Sequence, residues 1–110
     1  MPKQMPLEIE INESSVVKES STELAIQAPK KYQVILYNDD YTPMAFVVLV
    51  IQKFFHLSEE VAVQLMMQVH QKGRAVCGIF THDIAETIVG LVTGYSRLNE
   101  YPLLCAMVAV

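Results

Sequence analysis

The chain holds 110 residues, 52% hydrophobic and 18% charged, with eight basic against twelve acidic residues and a formal net charge of −4. That length suits one domain able to bury a core without staples, and the charged share sits below the roughly 25% usual for soluble domains. The acidic balance excludes a binder held to nucleic acid by a basic stripe, and no apolar run reaches the roughly 18 residues of a membrane span.

Residues 1–29 read as a flexible N-terminal extension. Five glutamates (Glu8, Glu10, Glu13, Glu19, Glu23), two lysines and the hydroxyl cluster Ser14, Ser15, Ser20, Ser21, Thr22 precede Ala28-Pro29, with no aromatic residue, Cys or Gly before them. Leu7-Glu-Ile-Glu-Ile11 alternates like a strand, but nothing nearby completes a core. Pro2, Pro6 and two acids within Met1–Glu10 break the apolar stretch a signal peptide needs, so a cytoplasmic protein is expected.

The domain, 30–110, opens with the β-rich run Tyr32–Tyr37 and turns at Asn38-Asp39-Asp40. Thr42-Pro43 reads as an N-cap followed by proline in the first helical position. Phe46–Ile51 has strand propensity. The length of the apolar stretch Met44–Phe55 and the four-residue spacing of Phe46, Val50 and Phe54 favour a helix. A second helix starts at Ser58 with Glu59 and Glu60, buries Val61, Leu65, Met66 and Val69, and ends at Gly73. Arg74–Phe80 is a strand. Thr81 and Asp83 open a third helix with Ile84, Ile88, Leu91, Val92 and Tyr95 inward, and Gly90 and Gly94 are expected to mark close packing. A last strand, Leu103–Val110, follows Pro102. The order predicts an α+β two-layer sandwich: a three-stranded antiparallel sheet with three helices on one face, β-α-α-β-α-β.

Chemistry is sparse in this pattern. Asn38, Asp39 and Asp40 crowd one turn with oxygen-bearing side chains, either a solvated turn or a polar site; the spacing of a calcium loop is missing. His56, His70 and His82 form no i, i+4 pair and have no Cys at ligand spacing, which argues against zinc. His70 sits one turn beyond Met66, at the edge of an apolar stripe. Met44, Met66 and Met67 are core filler or an adaptable apolar surface. Cys77 and Cys105 lie in apolar strings and are expected as buried reduced thiols, and Cys77 lacks the electropositive setting of a nucleophile. No Gly-rich phosphate loop or nucleophile elbow is present, so neither an enzyme nor a cofactor is indicated. Composition and spacing alone leave a small binding module of unknown ligand.

The strings Tyr37-Asn-Asp-Asp-Tyr-Thr-Pro-Met44, Gln64-Leu-Met-Met-Gln-Val-His70, Gly73-Arg-Ala-Val-Cys-Gly78 and Pro102-Leu-Leu-Cys105 closely resemble the ClpS adaptor family. The likeness runs over residues 30–108 with matching order and spacing. It implies an N-degron adaptor of the bacterial N-end rule. Such a protein binds substrates whose first residue is Leu, Phe, Tyr or Trp and delivers them to the ClpA unfoldase of the ClpAP protease. By resemblance, Asn38, Asp39 and His70 receive the free N-terminal amine, and Thr42, Met44, Val47, Met66, Val69 and Leu103 form the side-chain pocket. Met44 falls at the gatekeeper that disfavours Ile and Val. Asp83 falls at the unfoldase-docking helix, where Ile88 stands in place of a frequent lysine. The N-terminal extension would enter the unfoldase channel. Two other readings stand beside this one. One is a structural module resembling the ribosomal stalk C-terminal domain, which would not need Asn38, Asp39 and His70 together. The other is a metal-dependent enzyme built on Asp39, Asp40 and His70.

Overall fold

A computed structural model describes residues 28–110. Residues 1–27 of the N-terminal extension, with the strand-like alternation at 7–11, lie outside the described residues. Three strands, β1 (Lys31–Tyr37), β2 (Arg74–Thr81) and β3 (Leu104–Ala109), form an antiparallel sheet in the order β2-β1-β3. Three helices, α1 (Met44–Phe55), α2 (Glu59–Lys72) and α3 (His82–Leu98), complete the β-α-α-β-α-β order read from the sequence. Among the described residues no helix is long and apolar enough to cross a membrane.

The core lies between the layers. Val34 and Leu36 of β1, Ala75 and Cys77 of β2 and Cys105 of β3 point into it from the sheet. Phe46, Val50 and Ile51 of α1, Met66 and Val69 of α2, and Ile88 and Val92 of α3 meet them. β2 carries one extra residue where Val34 pairs with Gly78 and Ile35 with Val76, a bulge at Cys77 that keeps both flanking pairs in register. A Cβ at Gly78 would sit 2.5 Å from the Phe80 ring, so any larger residue there needs that ring to move. Cys77 and Cys105 are free and buried, and burial pushes each thiol up to about 12.

Helix α1 forms over a segment rich in β-branched residues because tertiary burial outweighs propensity. Phe46, Val47, Val50, Ile51 and Phe55 make one helical stripe, and all are buried. His56 ends it in the left-handed region (φ 56°), its N–H donating to the Gln52 carbonyl. Helix α2 begins as expected, with the Ser58 hydroxyl accepting from the Val61 N–H at 3.3 Å. It ends at Gly73, whose φ of 92° glycine adopts without Cβ strain.

Four local expectations are corrected. Pro43, not Thr42, occupies the N-cap of α1, and no side chain caps that helix, because the Thr42 hydroxyl is engaged with Asp39. On α3 the inward residues are Ala85, Ile88, Val92 and Ser96. Ile84 and Leu91, read as buried, are each 52% exposed. On α2, Ala62 rather than Val61 faces the core. In both helices a small residue takes the inner position, where the helix axis comes close to its neighbours. Gly90 and Gly94 do not mark close packing either: a Cβ at each would meet open space.

Candidate functional site

At the end of β1 the backbone leaves the sheet and is caught at once by α2: the Asn38 N–H donates to the Gly73 carbonyl at 2.9 Å. Asp39 then folds the turn around itself. Its Oδ1 accepts from the Tyr41 N–H (2.8 Å) and the Thr42 N–H (2.7 Å), and its Oδ2 accepts from the Thr42 hydroxyl (2.7 Å). This is the side-chain-closed turn that Asn-Asp-Asp chemistry favours. Partial burial tends to raise the Asp39 pKa, but the bonds from the Thr42 hydroxyl and the two backbone amides outweigh it and hold the carboxyl below its ordinary 3.8. The carboxylate is therefore ionised at neutral pH. Three of its roughly four lone-pair positions are used inside the turn, which leaves one for a ligand.

The turn stands beside a cavity of about 400 Å³, bordered by α1 and α2. Val47, Met66 and Val69 are buried apolar residues on its wall, while Met44, the first residue of α1, is 45% exposed at its mouth. Asn38, Asp39 and His70 supply polar groups to the same cavity. His70 lies in the last turn of α2, which places its ring beside the turn at Asn38–Asp40. The arrangement suits a ligand with a cationic, donor-rich head and an apolar side group. The carboxylate and the amide oxygen of Asn38 accept, neutral His70 accepts through a ring nitrogen, and the apolar wall takes the rest.

Eight of the nine residues named from the sequence for amine and side-chain binding therefore meet at one cavity: Asn38, Asp39, Thr42, Met44, Val47, Met66, Val69 and His70. Leu103 sits in the core just before β3, 4% exposed, and is not among the lining residues. Tyr41 and Pro43 also line the cavity, though sequence reasoning gave them no binding role, and so does Asp40, which it named only for the alternative metal site. Their contiguity with Asp39 and Thr42 in one turn was the available signal. Asp83 is elsewhere, on the first turn of α3, its side chain fully open to solvent. Ile88 is buried against the core, the alternative its apolar helix face allowed.

Two of the four motifs read from the sequence, 37–44 and 64–70, meet at this cavity, while 73–78 and 102–105 lie along β2 and at the start of β3. Comparison with known proteins agrees with the resemblance. A family model described as ATP-dependent Clp protease adaptor protein ClpS matches residues 27–106. The chain belongs to the ClpS family. Adapter proteins of this name from Salmonella paratyphi B and Salmonella newport are 54% identical over 89 residues, covering 81% of this chain and 84% of theirs. Among solved structures, ClpS2 of Agrobacterium tumefaciens bound to L-phenylalaninamide is similar with a TM-score of 0.73 and 38% identity. That match covers 74% of this chain and 99% of the other. The chain is thus similar to protease adaptors throughout the described domain. Among the described residues, a group whose ligand atoms come within 4.8 Å of one another is His82, Asp83 and Glu86, all exposed on α3 and outside the cavity.

Proposed function

We propose that the cavity receives the free N-terminal amine and large hydrophobic first side chain (Leu, Phe, Tyr or Trp) of substrate proteins, and that the chain hands these N-degron substrates to the ClpA unfoldase of ClpAP. The observation that carries this reading is the junction of an ionised, turn-locked Asp39 with Asn38 and His70 on one side and the apolar Val47–Met66–Val69 wall on the other. Phenylalaninamide, bound by the Agrobacterium relative, carries the same pair of features: a free amine and a benzyl group. An α-ammonium group brings three donors and a positive charge directly beside a side chain, a combination only a chain's first residue offers. Acetylation removes the charge and adds bulk, stranding the acceptors. Burying a leucine or aromatic side chain contributes roughly 1.5–3 kcal/mol on top.

In this reading the protein catalyses nothing, needs no cofactor or metal and works in the cytoplasm. The domain of residues 30–110 binds substrate, and Asp83 contributes to unfoldase docking. Residues 1–29 form the extension that the unfoldase grips during transfer. Fluorescence anisotropy with a labelled Leu-initiated peptide and its N-acetylated twin tests the recognition step. Binding of the free form with loss on acetylation is expected; equal binding of the two overturns the reading. Deleting residues 1–27 is expected to spare peptide binding and abolish degradation by ClpAP, and undiminished degradation would remove the role given to the extension.

A further inference from the structure

The two faces of the sheet are unequal. Helices cover the inner one; the outer one carries Gln33, Ile35 and Tyr37 of β1, Val76 and Ile79 of β2, and Leu104, Ala106 and Val108 of β3, as the register sets them side by side. A sheet with one solvated face ordinarily alternates apolar and polar residues. β3 does not: Leu104, Ala106, Val108 and the following Val110 are all apolar, and all point away from the core that holds Cys105. Val76, Ile79, Leu104 and Val108 are 40, 56, 59 and 45% exposed, around an Ile35 that is only 3% exposed. The charges on this face are Lys31 and Arg74, at opposite ends of β1 by register, and the three strands contain no Asp or Glu.

An occupant must bring apolar groups and acids. A second copy of the same face brings Lys31 and Arg74 against like charges with no strand acid to offset them. The first 27 residues of this chain bring five glutamates against two lysines, a net charge of −3. They feed into β1, the central strand, at the end where Lys31 pairs with Thr81 and its carbonyl accepts from the Val110 N–H. Within them Leu7-Glu8-Ile9-Glu10-Ile11 alternates with the two-residue period of a strand. Residues 12–30 can span up to roughly 60 Å, against roughly 23 Å for the length of β1, so the segment can reach any part of the face.

We infer that residues 7–11 dock on the outer face of the sheet, with Leu7, Ile9 and Ile11 against Ile35, Val76, Ile79 and Val108. The extension's excess of glutamate over lysine supplies charge opposite to that of Lys31 and Arg74 at the ends of the face. The extension is then held by its own domain and must be released before an unfoldase can grip it. The inference stands independently of amine recognition, because the docking face shares no residue with the cavity.

Methyl-resolved NMR of the full chain tests it. Substituting Leu7→Ser, Ile9→Ser and Ile11→Ser together is expected to shift the methyl resonances of Ile35, Val76, Ile79 and Val108 while those of Ile84 and Leu91 on α3 stay fixed. In the reciprocal variant, Val108→Glu, the methyls of Leu7, Ile9 and Ile11 are expected at random-coil positions, and raised salt should move the wild-type spectrum toward that of the triple variant. Unchanged sheet methyls in the triple variant overturn the inference, as do shifts confined to α3. Concentration-dependent shifts of the sheet methyls that survive the triple substitution assign the face to a second copy instead. The triple substitution lies outside the packed domain, so its outcome does not hinge on folding.

Discussion

The cavity at the 38–44 turn and the outer face of the sheet are both exposed apolar surfaces, but they are built for different tasks. In the cavity, apolar wall and polar rim meet in a concave site, and the rim is rigid because Asp39 closes its own turn with three hydrogen bonds. A ligand that lacks the matching donors leaves acceptors unpaired, so the site discriminates. The sheet face is open, carries cations only at its ends, and rewards any apolar segment with an acidic rim. Acceptors fixed on a concave frame give selectivity; flat apolar area alone gives adhesion.

Substitutions at Asp39 separate those ingredients most sharply. Asp39→Ala removes both the charge and the turn closure, and peptide affinity by anisotropy is expected to fall about 100-fold or more, the loss of one to two charge-assisted bonds. Asp39→Asn keeps an acceptor for the Tyr41 and Thr42 amides but not the charge, and about a 10-fold loss is expected. Equal losses in the two variants would assign the role of Asp39 to its charge, and undiminished affinity in Asp39→Asn would assign it to turn closure alone.

Opening the cavity mouth should change selectivity rather than strength. With Met44 half in solvent at the start of α1, Met44→Ala is expected to let Ile- and Val-initiated peptides approach the affinity of the Leu peptide, which itself changes by only a few-fold. Titration of competing peptides measures the ratio, and continued rejection of Ile by the variant removes the gatekeeper role.

One pH effect is expected. The folded pKa of Asp39 lies below 3.8, so its contribution to stability is fully present above its unfolded value and is lost as pH falls through the folded one. Thermal melts of wild type and Asp39→Asn should therefore converge only in strong acid.

The smallest response belongs to the inner face of the sheet. Cys77 and Cys105, with thiols pushed up to about 12, are expected to resist alkylation at pH 8 in the folded chain and to react only on unfolding. Mass spectrometry before and after denaturant reads this directly. Rapid labelling of either in the native protein would show that the sheet opens.

Much of this was legible in the chain itself. The caps at Ser58 and Gly73, the turn at Asn38–Asp40 and the helix over 44–55 follow from local chemistry and from a period of 3.6 that outlasts any strand. The motifs around Asn38–Met44 and Met66–His70 carried eight of the cavity residues because each motif is contiguous in sequence. What no local pattern specified was the rotation of each helix about its axis. Hydrophobicity gave α3 a stripe through Ile84 and Leu91, yet packing turned inward the row Ala85–Ile88–Val92–Ser96, whose small ends permit close approach to its neighbours. Nor could sequence show that Thr42 would bond to Asp39 instead of capping α1, since both are ordinary uses of a threonine hydroxyl. Sequence alone determined the order of strands and helices and the contiguous motifs that border the cavity, because those follow from residues close together along the chain. Only the tertiary structure decided which apolar residues are buried, which are left on the outer sheet face, and that Asp39 and His70 share a cavity, because those depend on surfaces meeting across long stretches of chain.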